Sequence, residues 1–261
     1  MDWQQDRLGF LAGFLLSAVA TPVGVSGAVF LLPVQMTVFA VPSPQVTPTN
    51  LLYNVVSGPG ALLAYLRRRQ LGGRVTRQLV AGATPGVIVG ALLRVYVVDD
   101  PAVFRLIAAA VLLPTGAFLL WRRDHRATQM EEGSGMRPPT VVLLALLVGV
   151  IGGIYGIGGG SILGPILVGM GMSLRVVAPA ALASTYVTSV IGVAAFAVLS
   201  LSAPGTIAPE WSLGFACGIG GLLGGFLGAY LQPLLPERFL RGLLGLLAIG
   251  LSTMYMVQAV S

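Results

Sequence analysis

Long stretches with almost no charge follow one another along this chain, and they restrict its fold more than any other feature. Predominantly apolar segments of about 20 residues, the length that crosses a ~30 Å hydrocarbon core as a helix, occupy 46–66, 78–98, 102–121, 176–200, 211–232 and 238–258. Of the 261 residues, 56% are apolar and only 9% are charged, whereas soluble chains carry about 25% charged residues. The sequence therefore predicts an all-α, polytopic integral membrane protein.

Two further apolar regions, 8–41 and 140–173, are too long for a single transmembrane helix. Glycine interrupts the middle of each one, at 24–27 in the first region and at 156–160 in the second. The remaining pieces have about 15–18 residues, or ~22–27 Å of helix, which is marginal for crossing the bilayer. Each region is therefore predicted to form either two short spans or one re-entrant helical hairpin.

The two halves of the sequence match each other in order. The glycine break at 24–27 and the following Pro33 return 132 positions later, at 156–159 and Pro165. The segment 47–50 matches 178–181, and two glycine triplets share the spacing i, i+4, i+8. The triplets are Gly82, Gly86 and Gly90 in the first half and Gly220, Gly224 and Gly228 in the second. Small-residue stripes let helix backbones approach closely in lipid, so helix packing is the predicted role of the triplets.

This duplication predicts two homologous membrane repeats, at 1–121 and 139–261, joined by a charged cytoplasmic linker at 122–138. Each repeat would hold a broken or re-entrant helix pair followed by three transmembrane helices. Such a unit crosses the membrane an odd number of times, so its second copy would be inverted. Cytoplasmic loops are rich in arginine and lysine. Inversion places 12 of the 15 arginines on the cytoplasmic side, against 10 for parallel repeats, and is therefore favoured.

The inventory of reactive side chains argues against an enzyme. All 15 basic residues are arginine, which excludes a Walker A lysine and a Schiff-base lysine. A single cysteine, Cys217, and a single histidine, His125, cannot form a disulfide, a cysteine-based metal site or a paired catalytic set. We therefore predict no enzyme activity, no cofactor and no metal site. The net charge of +6 is interpreted as a signal of membrane topology.

The glycine breaks predict where a substrate would bind. Inverted-repeat transporters bind substrate near the membrane midplane, where broken helices turn free backbone N–H groups inward, and such groups suit an anion. Kinks that serve packing alone are the alternative. The predicted substrate-binding residues at the breaks are Gly24, Ser26, Gly27, Gly158, Gly159, Gly160 and Ser161.

The helices that follow the breaks carry neutral polar residues at helical spacing, and these residues complete the predicted site. They are Asn50, Tyr53, Asn54 and Ser57 in the first half and Ser184, Thr185 and Thr188 in the second. Each group shares one helix face, and polar groups are costly against lipid, so both faces should point inward. They would line a site for an oxyanion. Hydrogen bonding between helices is the alternative.

No Asp, Glu or His lies inside the predicted spans. Proton relays in transporters normally use such groups, so a carboxylate-based proton antiport is not expected. Export of an anion does not require one. A cell interior that is negative by 100 mV favours the exit of an anion by ~2.3 kcal/mol per charge.

Three motifs in order carry a family resemblance: GIGGGSILGPIL at 156–167, APAALASTYVTS at 178–189 and GxxxGxxxGA at 220–229. Together with VTPTNLLYNVVSGPGALLAYLRR at 46–68, they resemble the sulfite exporter family TauE/SafE. The resemblance covers nearly the whole chain. It implies a multi-pass transporter of the cytoplasmic membrane for sulfur-containing anions, such as sulfite, sulfoacetate and thiosulfate, or for small organic acids. The first half departs from the pattern, since GVSGA at 24–28 replaces the glycine run.

The main hypothesis is a secondary transporter or facilitator that exports a small anion by alternate rocking of its two halves. An anion channel with the same lining and a membrane scaffold that transports nothing are the alternatives. The expected partners are the anion and the lipid bilayer, without nucleic acid. The oligomeric state stays open, with a homodimer as one option.

Overall fold

The protein is described here from a computed structural model. Residues 3–98, 138–170, 172–202 and 207–236 are described as continuous segments, with Asp100 and scattered residues of 103–120 and 239–257. The α-helices of these segments are α1 (Trp3–Ala20), α2 (Ala28–Thr37), α3 (Ser43–Arg67), α4 (Arg74–Tyr96), α5 (Pro138–Tyr155), α6 (Gly160–Gly169), α7 (Leu174–Leu199) and α8 (Trp211–Leu231). The predicted spans 102–121 and 238–258 and residues 122–137 of the predicted linker lie outside the continuous segments.

Five of the described helices, α1, α4, α5, α7 and α8, are long and apolar enough to cross a membrane. The prediction of an all-α polytopic membrane protein is therefore confirmed. Helix α3, which covers the predicted span 46–66, has 25 residues but is not among the five. It is less apolar because it carries two asparagines and internal prolines, Pro48 and Pro59. Both asparagine side chains are buried against other helices.

Both broken regions have the same construction, an 18-residue helix followed by a 10-residue helix. After α1, a 3₁₀ turn at Thr21–Val23 leads to Gly24, whose φ is 77°. After α5, Gly156 and Gly158 have φ values of 74° and 69°. Glycine adopts this left-handed conformation without the steric cost of a Cβ. Ten residues of helix cover only about 15 Å, so α2 and α6 fit a re-entrant hairpin better than a pair of short spans.

The helices form two bundles, each with helices that run in one direction. Along α1 and α8, Phe10 lies against Gly220 and Ala18 lies against Gly228, so these helices are parallel. Helix α3 is parallel to α8 as well, because its early residue Leu52 lies against Gly214 and its end contacts the end of α8. Thus α1, α3 and α8 make one bundle.

The second bundle contains α4, α5 and α7 and runs the opposite way. Gly82 lies against Val142 and Gly86 lies against Leu146, so α4 and α5 are parallel. Helix α4 starts a few residues after α3 ends and therefore returns in the opposite direction. Between the bundles, α3 and α7 are antiparallel. Leu51 of α3 lies against Gly192 of α7, whereas Gly58, later in α3, lies against Tyr186, earlier in α7.

Each bundle mixes the two predicted repeats. Helices α1 and α3 come from the first repeat and α8 from the second, while α4 comes from the first and α5 and α7 from the second. Helices at matching positions in the two repeats run in opposite directions, which is the geometry that an inverted repeat requires. The duplication itself stays a prediction.

The glycine triplets form close seams inside the two bundles. A Cβ added at Gly220 would lie 2.8 Å from the carbonyl carbon of Phe10, and one at Gly224 would lie 2.8 Å from that of Phe14. The triplet of α4 faces α5 in the same way, and a Cβ at Gly90 would lie 2.9 Å from the Cα of Gly153. Only glycine permits this approach, so in each bundle a triplet packs helices from the two predicted repeats together.

Charge divides the described residues between the two ends of the bundles. The end that holds the last turn of α3 and the first turns of α4 and α7, called here the basic end, carries Arg67, Arg68, Arg69, Arg74, Arg77 and Arg175. Among the described residues it carries no acid. The opposite end carries Asp6, Arg7, Arg94, Asp100 and Glu210. The basic end has the composition expected of a cytoplasmic face.

Candidate functional site

The two glycine breaks meet between the bundles. The backbone N–H of Ser26, in the first break, points at the Oγ of Ser161, in the second, across 3.4 Å. A Cβ on Gly164 would lie 3.0 Å from the carbonyl oxygen of Gly24. Ser26 and Ser161 are 135 positions apart in the sequence, so the fold brings together the two segments that the sequence singled out.

Amide side chains of α3 hold the first break. The hydroxyl of Ser26 donates to Asn54 Oδ1 at 2.5 Å and accepts from the backbone N–H of Ala28 at 3.2 Å. One turn earlier on α3, Asn50 Nδ2 donates to the carbonyl of Ala28 at 2.9 Å. Both asparagines therefore fix the start of α2 against α3.

Hydroxyl side chains of α7 hold the second break in a similar way. The backbone N–H of Gly159 donates to Thr188 Oγ1 at 3.3 Å. The hydroxyls of Ser161 and Thr185 are 3.2 Å apart, and Ser161 also donates to the carbonyl of Ile157 at 3.1 Å. The α3 and α7 faces thus act on their own breaks with different chemistry, amides in one and hydroxyls in the other.

A small cavity lies beside the first break, where the two bundles meet, with a volume of about 20 Å³. Its lining is Ser17, Thr21, Ser26, Asn54, Ser57, Gly58, Ala61, Leu182, Thr185, Tyr186 and Gly225. Among the described residues no charged side chain lines it. A volume of about 20 Å³ holds one or two water molecules. This central cavity has to widen before it admits an oxyanion, which is larger than water.

The site contains a hydrogen-bond donor that the described residues leave unused. Asn54 lines the cavity and is buried, and its Nδ2 has no hydrogen-bond partner among the described residues. A buried donor without a partner costs about 1–3 kcal/mol. The acceptor Asn50 Oδ1 and the hydroxyls of Ser184 and Ser189 are also buried without a hydrogen-bond partner among the described residues. An anion that accepts a hydrogen bond from Asn54 Nδ2 would remove the cost of leaving this donor unpaired.

The predicted residues divide into two groups. Ser26, Asn54, Ser57 and Thr185 line the central cavity. The other predicted residues do not line the cavity but pack behind its lining or shape the backbone around it. They are Gly24, Gly27, Asn50, Tyr53, Gly158, Gly159, Gly160, Ser161, Ser184 and Thr188.

Tyr53 and Gly160 illustrate the supporting role. The Tyr53 hydroxyl hydrogen-bonds to Ser17 Oγ at 2.7 Å, which ties α3 to α1. A Cβ at Gly160 would lie 2.8 Å from the carbonyl carbon of Ala181 and 2.7 Å from Thr185 Oγ1. Both residues therefore set how closely α3 and α7 approach their neighbours.

Sequence reasoning did not assign Ser17, Thr21 or Tyr186 to the site, yet all three line the cavity. Ser17 and Thr21 are one helical turn apart and immediately precede the first break. Their hydroxyls, at i and i+4 before a glycine break, were the available signal. Tyr186 lies beside Thr185 on α7 and contacts Gly58 of α3.

Two carbonyl groups just before the breaks accept side-chain hydrogen bonds. Gln232, after α8, donates to the carbonyl of Pro22 at 2.7 Å. At the other end, Thr47 donates to the carbonyl of Ile154 at 3.0 Å and accepts from Arg94 Nε at 3.2 Å. Pro22 and Ile154 are 132 positions apart, which is the offset between the two breaks. Each break is therefore fixed from the predicted repeat to which it does not belong.

Apolar helices arranged around two broken helices that meet between two bundles define an integral membrane protein, and broken helices of this kind occur in membrane transporters. A family model described as Sulfite exporter TauE/SafE matches residues 9–256. The chain belongs to this family of membrane transporters, which confirms the resemblance drawn from the glycine motifs. No curated protein and no solved structure matches the chain.

Proposed function

We propose that this protein is a secondary transporter or facilitator that exports a small anion across the cytoplasmic membrane. The observation that carries the proposal is the central cavity, where neutral donors from both bundles converge and Asn54 Nδ2 has no hydrogen-bond partner among the described residues. Neutral donors bind an anion without holding it as tightly as a buried arginine would. Release on the far side is therefore easier.

The substrate class follows from the family and from the size of the cavity. The family implies sulfur-containing anions such as sulfite, sulfoacetate and thiosulfate, or small organic acids. The cavity holds little more than water in this conformation, so a compact oxyanion such as sulfite needs the least widening. Ser26, Asn54 and Thr185 would contact it directly, and backbone N–H groups of the breaks would add further donors.

The moving bodies in this proposal are the two bundles. The first break is hydrogen-bonded to α3 and the second to α7, so each break travels with a different bundle. The glycine seams keep α1 on α8 and α4 on α5. Rocking between α3 and α7 would widen the central cavity toward one end at a time and would leave both seams intact.

The proposed orientation places the basic end in the cytoplasm. Described arginines are concentrated there, and cytoplasmic loops of membrane proteins carry such an excess. Export then runs from the basic end to the end that carries Asp6 and Glu210. The membrane potential assists this direction by ~2.3 kcal/mol per charge at 100 mV.

The test is sulfite and thiosulfate flux in vesicles reconstituted with the purified protein. Asn54→Ala and Thr185→Ala should each reduce the flux at least about tenfold, because each loses a hydrogen bond to the anion worth roughly 1.5–3 kcal/mol. Ser202→Ala, at an exposed serine after α7, is the matched control and should transport normally. Wild-type protein without flux of any of these anions would refute the proposal.

The same vesicles distinguish the alternatives. Flux that saturates with substrate concentration supports a carrier, whereas flux that rises without saturation supports an anion channel. A scaffold would show no flux, and it would retain its cellular role when Asn54 and Thr185 are replaced by apolar residues.

A further inference from the structure

A second cavity opens at the basic end, between the end of α3, the start of α7 and the turn after α8. Its volume is about 420 Å³, against about 20 Å³ for the central cavity. Two arginines, Arg68 and Arg175, and two glutamines, Gln70 and Gln232, are part of its lining. We call it the arginine cleft.

The two arginines of the cleft have different surroundings. Arg68 is fixed, because it donates to the carbonyls of Ala229 at 2.8 Å and Tyr230 at 2.7 Å and lies over the Tyr230 ring. A guanidinium has five N–H donors, so Arg68 keeps donors for a ligand. Arg175 lies in the first turn of α7 and is exposed, without a hydrogen-bond or ion-pair partner in the part of the chain that the structure describes.

The chemistry of the cleft suits an oxyanion. Guanidinium groups bind carboxylate, phosphate and similar oxyanions through paired hydrogen bonds, and the amide of Gln70 adds neutral donors, while the amide of Gln232 is engaged with the carbonyl of Pro22. The described acids, Asp6, Asp100 and Glu210, belong to the opposite end. No described carboxylate therefore competes with an anion for the two arginines.

One turn of the chain forms a wall between the cleft and the central cavity. Thr21 lines the central cavity and the next residue, Pro22, lines the cleft. Both belong to the 3₁₀ turn at Thr21–Val23, which ends at Gly24 with its φ of 77°. Gln232, itself part of the cleft lining, holds this wall through its 2.7 Å hydrogen bond to Pro22.

The corresponding place at the other end of the molecule is filled by protein. Under the repeat offsets, Gln232 matches Arg94 and Leu174 matches Ser43. Arg94 is buried there and donates to Ser43 Oγ at 2.7 Å, with further bonds to Thr47 and to the carbonyl of Val98. The shorter Gln232 side chain leaves the matching space open at the basic end.

We propose that the arginine cleft is an oxyanion-binding antechamber, where the transported anion binds through Arg68 and Arg175 before it passes the Thr21–Val23 turn to the central cavity. This inference rests on the proposed function, because it takes the occupant to be the exported anion. A phospholipid headgroup presents the same oxyanion chemistry, so the test has to separate the two sources.

The experiment measures sulfite flux against sulfite concentration in vesicles made only of phosphatidylcholine, which lacks net charge. Arg175→Gln should raise the KM about five- to tenfold and leave kcat unchanged, because it weakens capture without altering the central site. Arg175→Lys, which keeps the charge but loses the planar pair of donors, should give an intermediate KM. Arg67→Gln is the matched control, because Arg67 is exposed at the same end and lies over the Phe226 ring, outside the cleft.

Each outcome of this experiment has a defined meaning. A raised KM for Arg175→Gln with a normal Arg67→Gln supports the antechamber. An unchanged KM in protein that still transports sulfite overturns the antechamber and leaves the proposed function intact. Absence of flux from the wild type would contradict the proposed function instead. An effect of Arg175→Gln that appears only when anionic lipid is added would identify a headgroup as the occupant and overturn the inference.

Discussion

Gly224 and Gly225 are neighbours on α8, yet replacement by alanine should have opposite effects at the two positions. A Cβ at Gly224 would lie 2.8 Å from the carbonyl carbon and 2.9 Å from the Cα of Phe14, on α1. A Cβ at Gly225 would meet its nearest neighbour, Thr21 Oγ1, at 3.5 Å. Carbon atoms in contact are normally ~3.5–4.0 Å apart, so Gly224→Ala requires α1 and α8 to separate by about 1 Å.

The expected magnitudes follow from two opposing effects. Alanine is favoured over glycine inside a helix by about 0.8–1 kcal/mol, and this gain applies equally at both positions. At Gly224 it is opposed by overpacking, which costs about 1–3 kcal/mol, and by looser contacts at Gly220 and Gly228 along the same seam. Gly224→Ala should therefore lose about 1–2 kcal/mol of folding stability. The folding stability of the Gly225→Ala protein should equal or slightly exceed that of the wild type.

The assay is thermal unfolding of the purified proteins in the same detergent. At roughly 2–4 °C per kcal/mol, the Tm should fall by about 2–8 °C for Gly224→Ala and stay equal or rise for Gly225→Ala. Because the substitution and the helix are the same, differences in helix propensity and expression cancel. Equal shifts of the two Tm values in the same direction would refute the close seam between α1 and α8.

Three further predictions concern the site and its coupling. Ser26→Ala removes the donor to Asn54 Oδ1 and the acceptor for Ala28 N–H, and it should reduce sulfite flux at least about tenfold (roughly 1.5 kcal/mol or more) while the protein still elutes as a single species in detergent. Gln232→Leu removes the hydrogen bond to the carbonyl of Pro22. It should change kcat while KM rises less than about twofold, as measured from flux against sulfite concentration. A higher KM with an unchanged kcat would contradict the role of Gln232 in fixing the Thr21–Val23 turn. Thiosulfate flux should change less than about twofold when a pH gradient is imposed at constant membrane potential, because proton-coupled transport depends on titratable groups within the spans; uphill flux driven by the pH gradient would disprove this.

The sequence predicts the breaks well because their cause is local. Only glycine adopts a φ near +75° without cost, and the structure places such residues at Gly24, Gly156 and Gly158, inside the two predicted interruptions. The pairing of helices is a different matter. A glycine stripe shows that another backbone approaches closely, but any apolar helix could supply that backbone. The arrangement of two mixed bundles therefore required the tertiary structure.

The site was predictable only in part, for a similar reason. A helical repeat of polar residues identifies a face of α3 that contains Asn50, Asn54 and Ser57, but it does not show which part of the face meets empty space. Asn50 turns to the backbone of α2, while Asn54 and Ser57 reach the cavity. Ser17 escaped prediction because it stands among apolar residues of α1, and its neighbours in space come from helices far away in the sequence.

The seam between α1 and α8 also has a consequence for biosynthesis. Gly9 and Gly13 of α1 pack against Leu213 and Cys217 of α8, so α1 leaves the ribosome long before its partner helix. Until α8 is inserted, the glycine face of α1 that contains Gly9 and Gly13 therefore lies in the membrane without its partner helix. Because each half supplies what the other lacks, the two halves produced as separate polypeptides should find each other in the membrane and assemble.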